Sequence, residues 1–142
     1  MSLFSVLIVD DEEEFREMTV KRLSKRDLEC ESAPEGETAL EMIAKKNYDV
    51  VLLDVKMPGR DGIEILREIK RMAPMTEVVM LTGHASVESG INGIKYGAFD
   101  YLMKPMELDT LFEKLSAAFE RKREQQNKIE MAQIKKDMVR PG

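Results

Sequence analysis

Asp10 and Asp11 close the run FSVLIVDD, Asp54 closes YDVVLLD, Thr82 closes TEVVMLT and Lys104 closes AFDYLMK. Each follows a short apolar stretch. If those stretches lie side by side, three carboxylates, a hydroxyl and an amine meet at one edge. Like charges held together repel, so apposed carboxylates call for a cation. Ligands that are all oxygen suit Mg2+, which keeps some of its waters. Lys104 adds a compact positive charge and Thr82 a hydrogen-bond donor. Together they describe a pocket for an incoming anion with three oxygens, a phosphoryl group. The chain has no GxxxxGKS/T loop and no Gly-rich nucleotide fingerprint, so the phosphoryl group need not arrive on a nucleotide. Singly, each residue has an ordinary structural explanation. An acid after a strand usually caps a loop or helix, a threonine ending a strand is usually structural, and a lysine before proline is usually exposed. Recurrence at the ends of four strands is what points to chemistry.

The elements that must hold these residues alternate. Five β-like runs, FSVLIVD, LECESA, YDVVLLD, TEVVMLT and AFDYLMK, are separated by helical patterns. LECESA alternates rather than running continuously apolar, which places it at a sheet edge. A helix over 13–25 should turn Phe15, Met18 and Leu23 inward. PEGETALEMIAKK opens with Pro34 and should bury Ala39, Leu40 and Ile43. GIEILREIKRM should bury Ile65, Ile69 and Met72. SVESGINGIKYG puts Val87, Ile91 and Ile94 on one face, although Gly90 and Gly93 each cost about 1 kcal/mol against alanine. A helix so weakly formed can shift cheaply. Pro105 ends the fifth strand. The last helix starts near Glu107, with Leu108, Leu111, Phe112, Leu115, Ala118 and Phe119 as its apolar stripe. After Phe119 only Ile129, Ile134 and Met138 continue it, without a sustained heptad. This pattern predicts a domain over 1–120 and a projecting or frayed, basic helical tail over 121–142. Alternating β and α with continuous apolar strands predicts a doubly wound α/β fold, a parallel sheet with helices on both faces. Ligands of such sheets sit outside the carboxyl ends of the strands, where the five residues stand.

Composition narrows the function. With 142 residues, 43% apolar and 35% charged, the chain suits one soluble domain with a proper core. No apolar run is long enough to span a bilayer, and the N-terminus lacks a basic region that would mark a secretory signal. A cytoplasmic location without membrane attachment is the expectation. A single cysteine, Cys30, leaves no internal disulfide, and a single histidine, His84, argues against a zinc centre. Net charge is −5 overall, divided as −9 over the first 120 residues and +4 over the last 22. An acidic body argues against direct nucleic-acid binding.

The segments VLIVDDEEEFR, DVVLLDVKMPGRDG, VVMLTGHAS and GAFDYLMKP resemble, in order and spacing, the receiver domain of two-component response regulators. The likeness covers roughly residues 4–119. It implies the flavodoxin-like strand order 2-1-3-4-5. It also implies that Asp54 accepts a phosphoryl group from a histidine kinase or phosphotransfer protein, forming an acyl phosphate. Asp11, Asp54 and the backbone carbonyl of Lys56 would bind Mg2+ directly, with Asp10 acting through a metal-bound water. Lys104 and Thr82 would contact phosphoryl oxygens. Tyr101 matches the aromatic residue that turns inward when the threonine moves. Lys56 and His84 stand where phosphate lifetime is modulated, and a cis peptide is implied before Pro105, an isomer tolerable only before proline. The altered surface would be helix 4, strand 5 and helix 5, read by a downstream protein, in a monomer or a phosphorylation-dependent dimer.

Two output readings stand. The chain acts alone through protein contact, the reading favoured by the short basic tail, or it is the receiver of a longer regulator with a DNA-binding or ATPase domain. Two rival classes are disfavoured by particular residues. A phosphohydrolase with an aspartyl intermediate wants an acid two residues after its nucleophile, where this chain has Lys56. The chain is therefore expected not to be a turnover enzyme. A flavin protein on the same sheet wants a Ser/Thr/Gly phosphate loop after strand one, where this chain has DDEEEF.

Overall fold

The computed structural model describes residues 2–57, 59, 61–83 and 86–139. Strands β1 (Ser5–Val9), β2 (Glu29–Ala33), β3 (Val50–Leu53), β4 (Glu77–Thr82) and β5 (Asp100–Met103) form one sheet. All pairings are parallel, in the order β2-β1-β3-β4-β5. Helices α1 (Glu13–Ser24), α2 (Gly36–Lys45), α3 (Gly62–Met72), α4 (Val87–Lys95) and α5 (Leu108–Met138) make the crossovers. The fold class and strand order are those expected. β3 and β4 are buried along their whole length because both faces are covered, while β2 lies at an edge and is only partly buried.

Alternate strand residues feed two cores. Leu7, Val9, Val51, Leu53 and Met80 pack with Ala39, Leu40 and Ile43 of α2 and Ile65, Leu66 and Ile69 of α3. Val6, Ile8, Val50, Leu52, Val79 and Leu81 pack with Leu23 of α1 and Leu111, Leu115 and Ala118 of α5. Each strand position is thereby committed to one face, and a one-residue slip would exchange the two cores.

Three helix expectations are corrected, for Met18, for the start of α2 and for Met72. Met18 is 43% exposed, and Thr19 is the buried residue of that turn. α2 begins at Gly36, two residues after Pro34, and Met72 is half-buried. On α4, Val87, Ile91 and Ile94 are 81%, 62% and 52% exposed. Only Gly93 is buried there, because the helix turns its glycines toward β5. α5 is one unbroken helix of 31 residues, and it runs on to Met138 through the stretch after residue 120 that the sequence marks as a helical tail. Its last buried residue is Lys122, so the remaining turns extend about 25 Å into solvent. Among the described residues, no helix is long and apolar enough to cross a membrane.

Ion pairs at the amino ends of the strands fix where α5 leaves the body. Lys122 Nζ donates to Asp49 Oδ1 at 2.6 Å, and the Ser5 amide donates to Asp49 Oδ2 at 2.8 Å. Arg121 Nε lies 2.9 Å from Glu77 Oε2 as an ion pair without hydrogen-bond alignment, and Lys70 Nζ donates to Glu77 Oε1 at 3.4 Å. Burial pushes the Asp49 carboxyl up, but Lys122 and the Ser5 amide outweigh it and hold the group below its ordinary value. A carboxyl lowered in the folded state stabilises above its unfolded pKa, and that contribution disappears as pH falls through the lowered value. We expect Lys122→Met to cost about 1.5–3 kcal/mol at neutral pH, with the deficit shrinking in acid. Urea denaturation of parent and variant across pH checks this, and a deficit independent of pH would assign it to packing.

Candidate functional site

β1 and β3 are neighbours, with Val9 opposite Leu53, so the residues that follow them stand side by side. The Asp54 amide donates to the Val9 carbonyl at 3.0 Å, which fixes the register one residue beyond the strands. Asp10 is 1% and Asp54 4% exposed. Thr82 ends β4 and is fully buried, and its carbonyl accepts from the Lys104 amide at 2.9 Å. The Lys104–Pro105 peptide is cis, as the resemblance implies.

From this position Lys104 reaches over the site. Its Nζ donates to Asp10 Oδ2 at 2.5 Å and to Glu12 Oε1 at 3.3 Å, and lies 3.6 Å from Asp54 Oδ2. The ammonium also sits 4.1 Å from the centroid of the Phe15 ring, a cation–π placement. Burial raises the pKa of the Asp10 carboxyl despite Lys104 and the Glu12 amide. For Lys104, burial works against the charged form, but the bond to Asp10 and the charges of Asp10, Asp54 and Glu12 outweigh it and raise its pKa. The site is thus a cluster of three acids that share one amine.

Ligand oxygens of Asp10, Glu12 and Asp54 all lie within 4.8 Å of one another. All three are carboxylates, which fits a hard divalent cation such as Mg2+. The Lys104 ammonium already occupies the cation's electrostatic role among them. Asp11 is exposed and lies outside that close group. Glu12 is the residue that sequence reasoning passed over. It lies within DDEEEF, which bears on the family resemblance and on the flavin alternative but assigns Glu12 no role of its own. We expect Glu12→Gln to weaken Mg2+ binding roughly threefold, since one charge leaves the cluster. Calorimetric titration of the unphosphorylated chain measures this, and an unchanged affinity would remove Glu12 from the metal's surroundings.

Asp54 Oδ1 accepts from the Lys56 amide at 3.3 Å, and the Lys56 side chain is exposed. Asp61 caps α3 by accepting from the Ile63 amide at 3.0 Å. A Cβ at Gly62 would lie 2.5 Å from the Val55 carbonyl oxygen and 2.7 Å from that of Asp54. Only glycine lets the start of α3 press on the backbone that carries Asp54. His84 lies outside the described residues.

Tyr101 is half-buried on β5, its ring against Gly90 and Gly93 of α4 and its hydroxyl 2.5 Å from Ser89 Oγ. Gly93 thus does more than weaken α4: a Cβ there would crowd this ring and Met80. Beyond it, the exposed Val87, Ile91 and Ile94 and the 63% exposed Met103 leave apolar side chains on the α4 and β5 surface.

A family model described as the response regulator receiver domain matches residues 6–116. The regulatory protein AtoC of Escherichia coli strain K12 is 41% identical over 106 residues, covering 75% of this chain and 23% of AtoC. The DNA-binding transcriptional regulator NtrC of the same strain is 36% identical over 121 residues, covering 85% of this chain and 26% of NtrC. The chain therefore spans about a quarter of the length of these curated relatives. Among solved structures, a CheY-like receiver domain protein of Methanospirillum hungatei JF-1 superposes with a TM-score of 0.84 at 30% identity, covering 87% of this chain and 99% of that one. NtrX of Brucella abortus superposes with a TM-score of 0.85 at 30% identity, covering 93% of this chain and 30% of NtrX. With matching motifs, sheet order and site geometry, the chain belongs to the response regulator receiver family of two-component signalling.

Proposed function

We propose that Asp54 is the phosphoacceptor, taking a phosphoryl group from a histidine kinase or phosphotransfer protein in a Mg2+-dependent reaction. The observation that carries this is the buried Asp10–Asp54 pair under Lys104 at the carboxyl ends of adjacent strands. Phosphoryl transfer asks for in-line positioning and charge neutralisation more than covalent assistance. Asp54 supplies the attacking oxygen. Asp10, Asp11, Glu12 and Asp54, with the Lys56 carbonyl, would surround the metal, which when bound would neutralise charge on the transferring group. Lys104 is placed to release a carboxylate and pair with a phosphoryl oxygen, and Thr82 to meet another. No acid stands two residues after Asp54, so the chain keeps its phosphate as a signal rather than turning over substrate. Intact mass after incubation with Mg2+ and a small acyl phosphate tests the reading, with one added phosphate expected and none under chelation.

The output is proposed as that of a longer regulator, in which α5 leads on toward a further domain. The support is specific. α5 continues past the last buried residue as an exposed, regular helix, and AtoC and NtrC are each roughly three times this chain's length. A stand-alone receiver acting by protein contact is the other reading. The exposed apolar residues of α4 and β5 support a protein-reading surface under either.

A further inference from the structure

α4 is attached to the body by few contacts, and one of them joins two jobs. Its first turn is a reciprocal cap, with Ser86 Oγ accepting from the Ser89 amide at 3.1 Å and Ser89 Oγ accepting from the Ser86 amide at 3.3 Å. Ser89 Oγ also lies 2.8 Å from Ser86 Oγ and 3.3 Å from the Ser86 carbonyl oxygen. The same oxygen is 2.5 Å from the Tyr101 hydroxyl on β5. A serine hydroxyl has one proton and two lone pairs. If that proton goes back to Ser86, the remaining capacity of Ser89 is filled by the Ser86 amide and by a proton from Tyr101. The helix cap and the tyrosine then share one oxygen.

The surroundings leave the helix little else to hold it. Val87, Ile91 and Ile94 face solvent, and Gly93 is the buried residue. A Cβ at Gly90 would lie 3.5 Å from the Tyr101 ring, and one at Gly93 would lie 3.1 Å from Met80 Sδ and 3.3 Å from that ring. The tyrosine therefore packs on a stretch of helix that offers no side chain to grip it, and its hydroxyl carries the polar anchor.

We infer that Ser89 is the positioning residue of the switch: its hydroxyl fastens α4 to Tyr101, so that displacing the tyrosine releases the helix's first turn. The inference rests on the phosphoacceptor reading only for what moves the ring.

Amide exchange of the segment 87–95 tests it on the full chain with Mg2+, with and without saturating beryllofluoride. The comparison includes the parent, Ser89→Ala, Tyr101→Phe and the double variant. Tyr101→Phe removes the shared bond while leaving the ring and the serine cap in place. Without beryllofluoride, each single variant is expected to exchange about two- to tenfold faster than the parent, the range of one hydrogen bond. The double variant should exchange no faster than the faster single, because both delete the same bond. The change that beryllofluoride causes in this segment should fall by at least half in either single variant. A role for Ser89 in capping alone predicts parental exchange in Tyr101→Phe, and that result overturns the inference, as do single effects that simply add. Failure of the phosphoacceptor reading looks different. The parent then gains no phosphate by mass and shows no beryllofluoride response anywhere, while the double-variant comparison without beryllofluoride still decides whether Ser89 and Tyr101 are coupled.

Discussion

Asp54→Asn is expected to gain no phosphate from a small acyl phosphate and Mg2+, under conditions where the parent gains one. The substitution keeps the shape of the side chain and removes the anionic nucleophile, so phosphate uptake should fall by at least about two orders of magnitude. Stability should move the other way. Asp54 is 4% exposed and shares one ammonium with Asp10 and Glu12. Neutralising one of three clustered acids relieves repulsion. The variant's urea midpoint in a chelator should therefore equal or exceed the parent's. A residue that costs stability and carries the reaction is one kept for chemistry. Parental phosphate uptake in Asp54→Asn would move the acceptor elsewhere, and a large loss of stability would recast Asp54 as a structural partner of Lys104.

Much of this site was legible because parallel strands write it at fixed places. A run such as YDVVLLD is buried on both faces, so its apolar residues mark the strand and the first acid marks its carboxyl end. Val9 opposite Leu53 then brings Asp10 beside Asp54 without further information. The same logic placed Thr82 and Lys104 at the ends of β4 and past β5, and the edge position of β2 followed from its mixed pattern.

What was not legible depends on rotation and reach. α4 has apolar residues at helical spacing, and periodicity alone turns such a stripe inward. The structure turns it outward and sets the glycine side against β5, where a Cβ at Gly93 would crowd Met80 and Tyr101 and one at Gly90 would only touch the same ring. Glu12 was hidden for a different reason. Its place in the cluster depends on a side chain reaching back from the start of α1, and DDEEEF gives no sign of which acid does so. What fastens α5 to the body was hidden in a third way. Its apolar stripe ends near Phe119, yet Arg121 and Lys122 pair with Glu77 and Asp49 at the far end of the sheet and carry the helix onward. Polar residues there fasten the helix where its apolar stripe has ended.

The largest stability change should come from Lys104→Ala, and Mg2+ should reverse part of it. Lys104 Nζ is the cation described within 4 Å of both buried carboxylates, at 2.5 Å from Asp10 and 3.6 Å from Asp54. Its removal leaves two like charges in a poorly solvated pocket, an uncompensated burial that costs about 3 kcal/mol. Burial already holds the Asp10 carboxyl above its ordinary pKa with the lysine present. Without the lysine, the folded state should favour the protonated acid more strongly. A carboxyl raised in the folded state destabilises at high pH and loses that penalty as pH falls through the raised value. The variant's deficit should therefore be largest at neutral pH and shrink in mild acid. Mg2+ supplies the missing positive charge, so its binding should tighten in the variant and restore much of the lost stability by mass action. Phosphate uptake should still fall at least about tenfold, because the metal then has no amine partner in neutralising the incoming group. Denaturation midpoints at two pH values, each with Mg2+ or chelator, separate this account from a packing defect. A deficit indifferent to both pH and Mg2+ would mean that the packing of the Lys104 side chain, whose ammonium sits over the Phe15 ring, matters more than its charge.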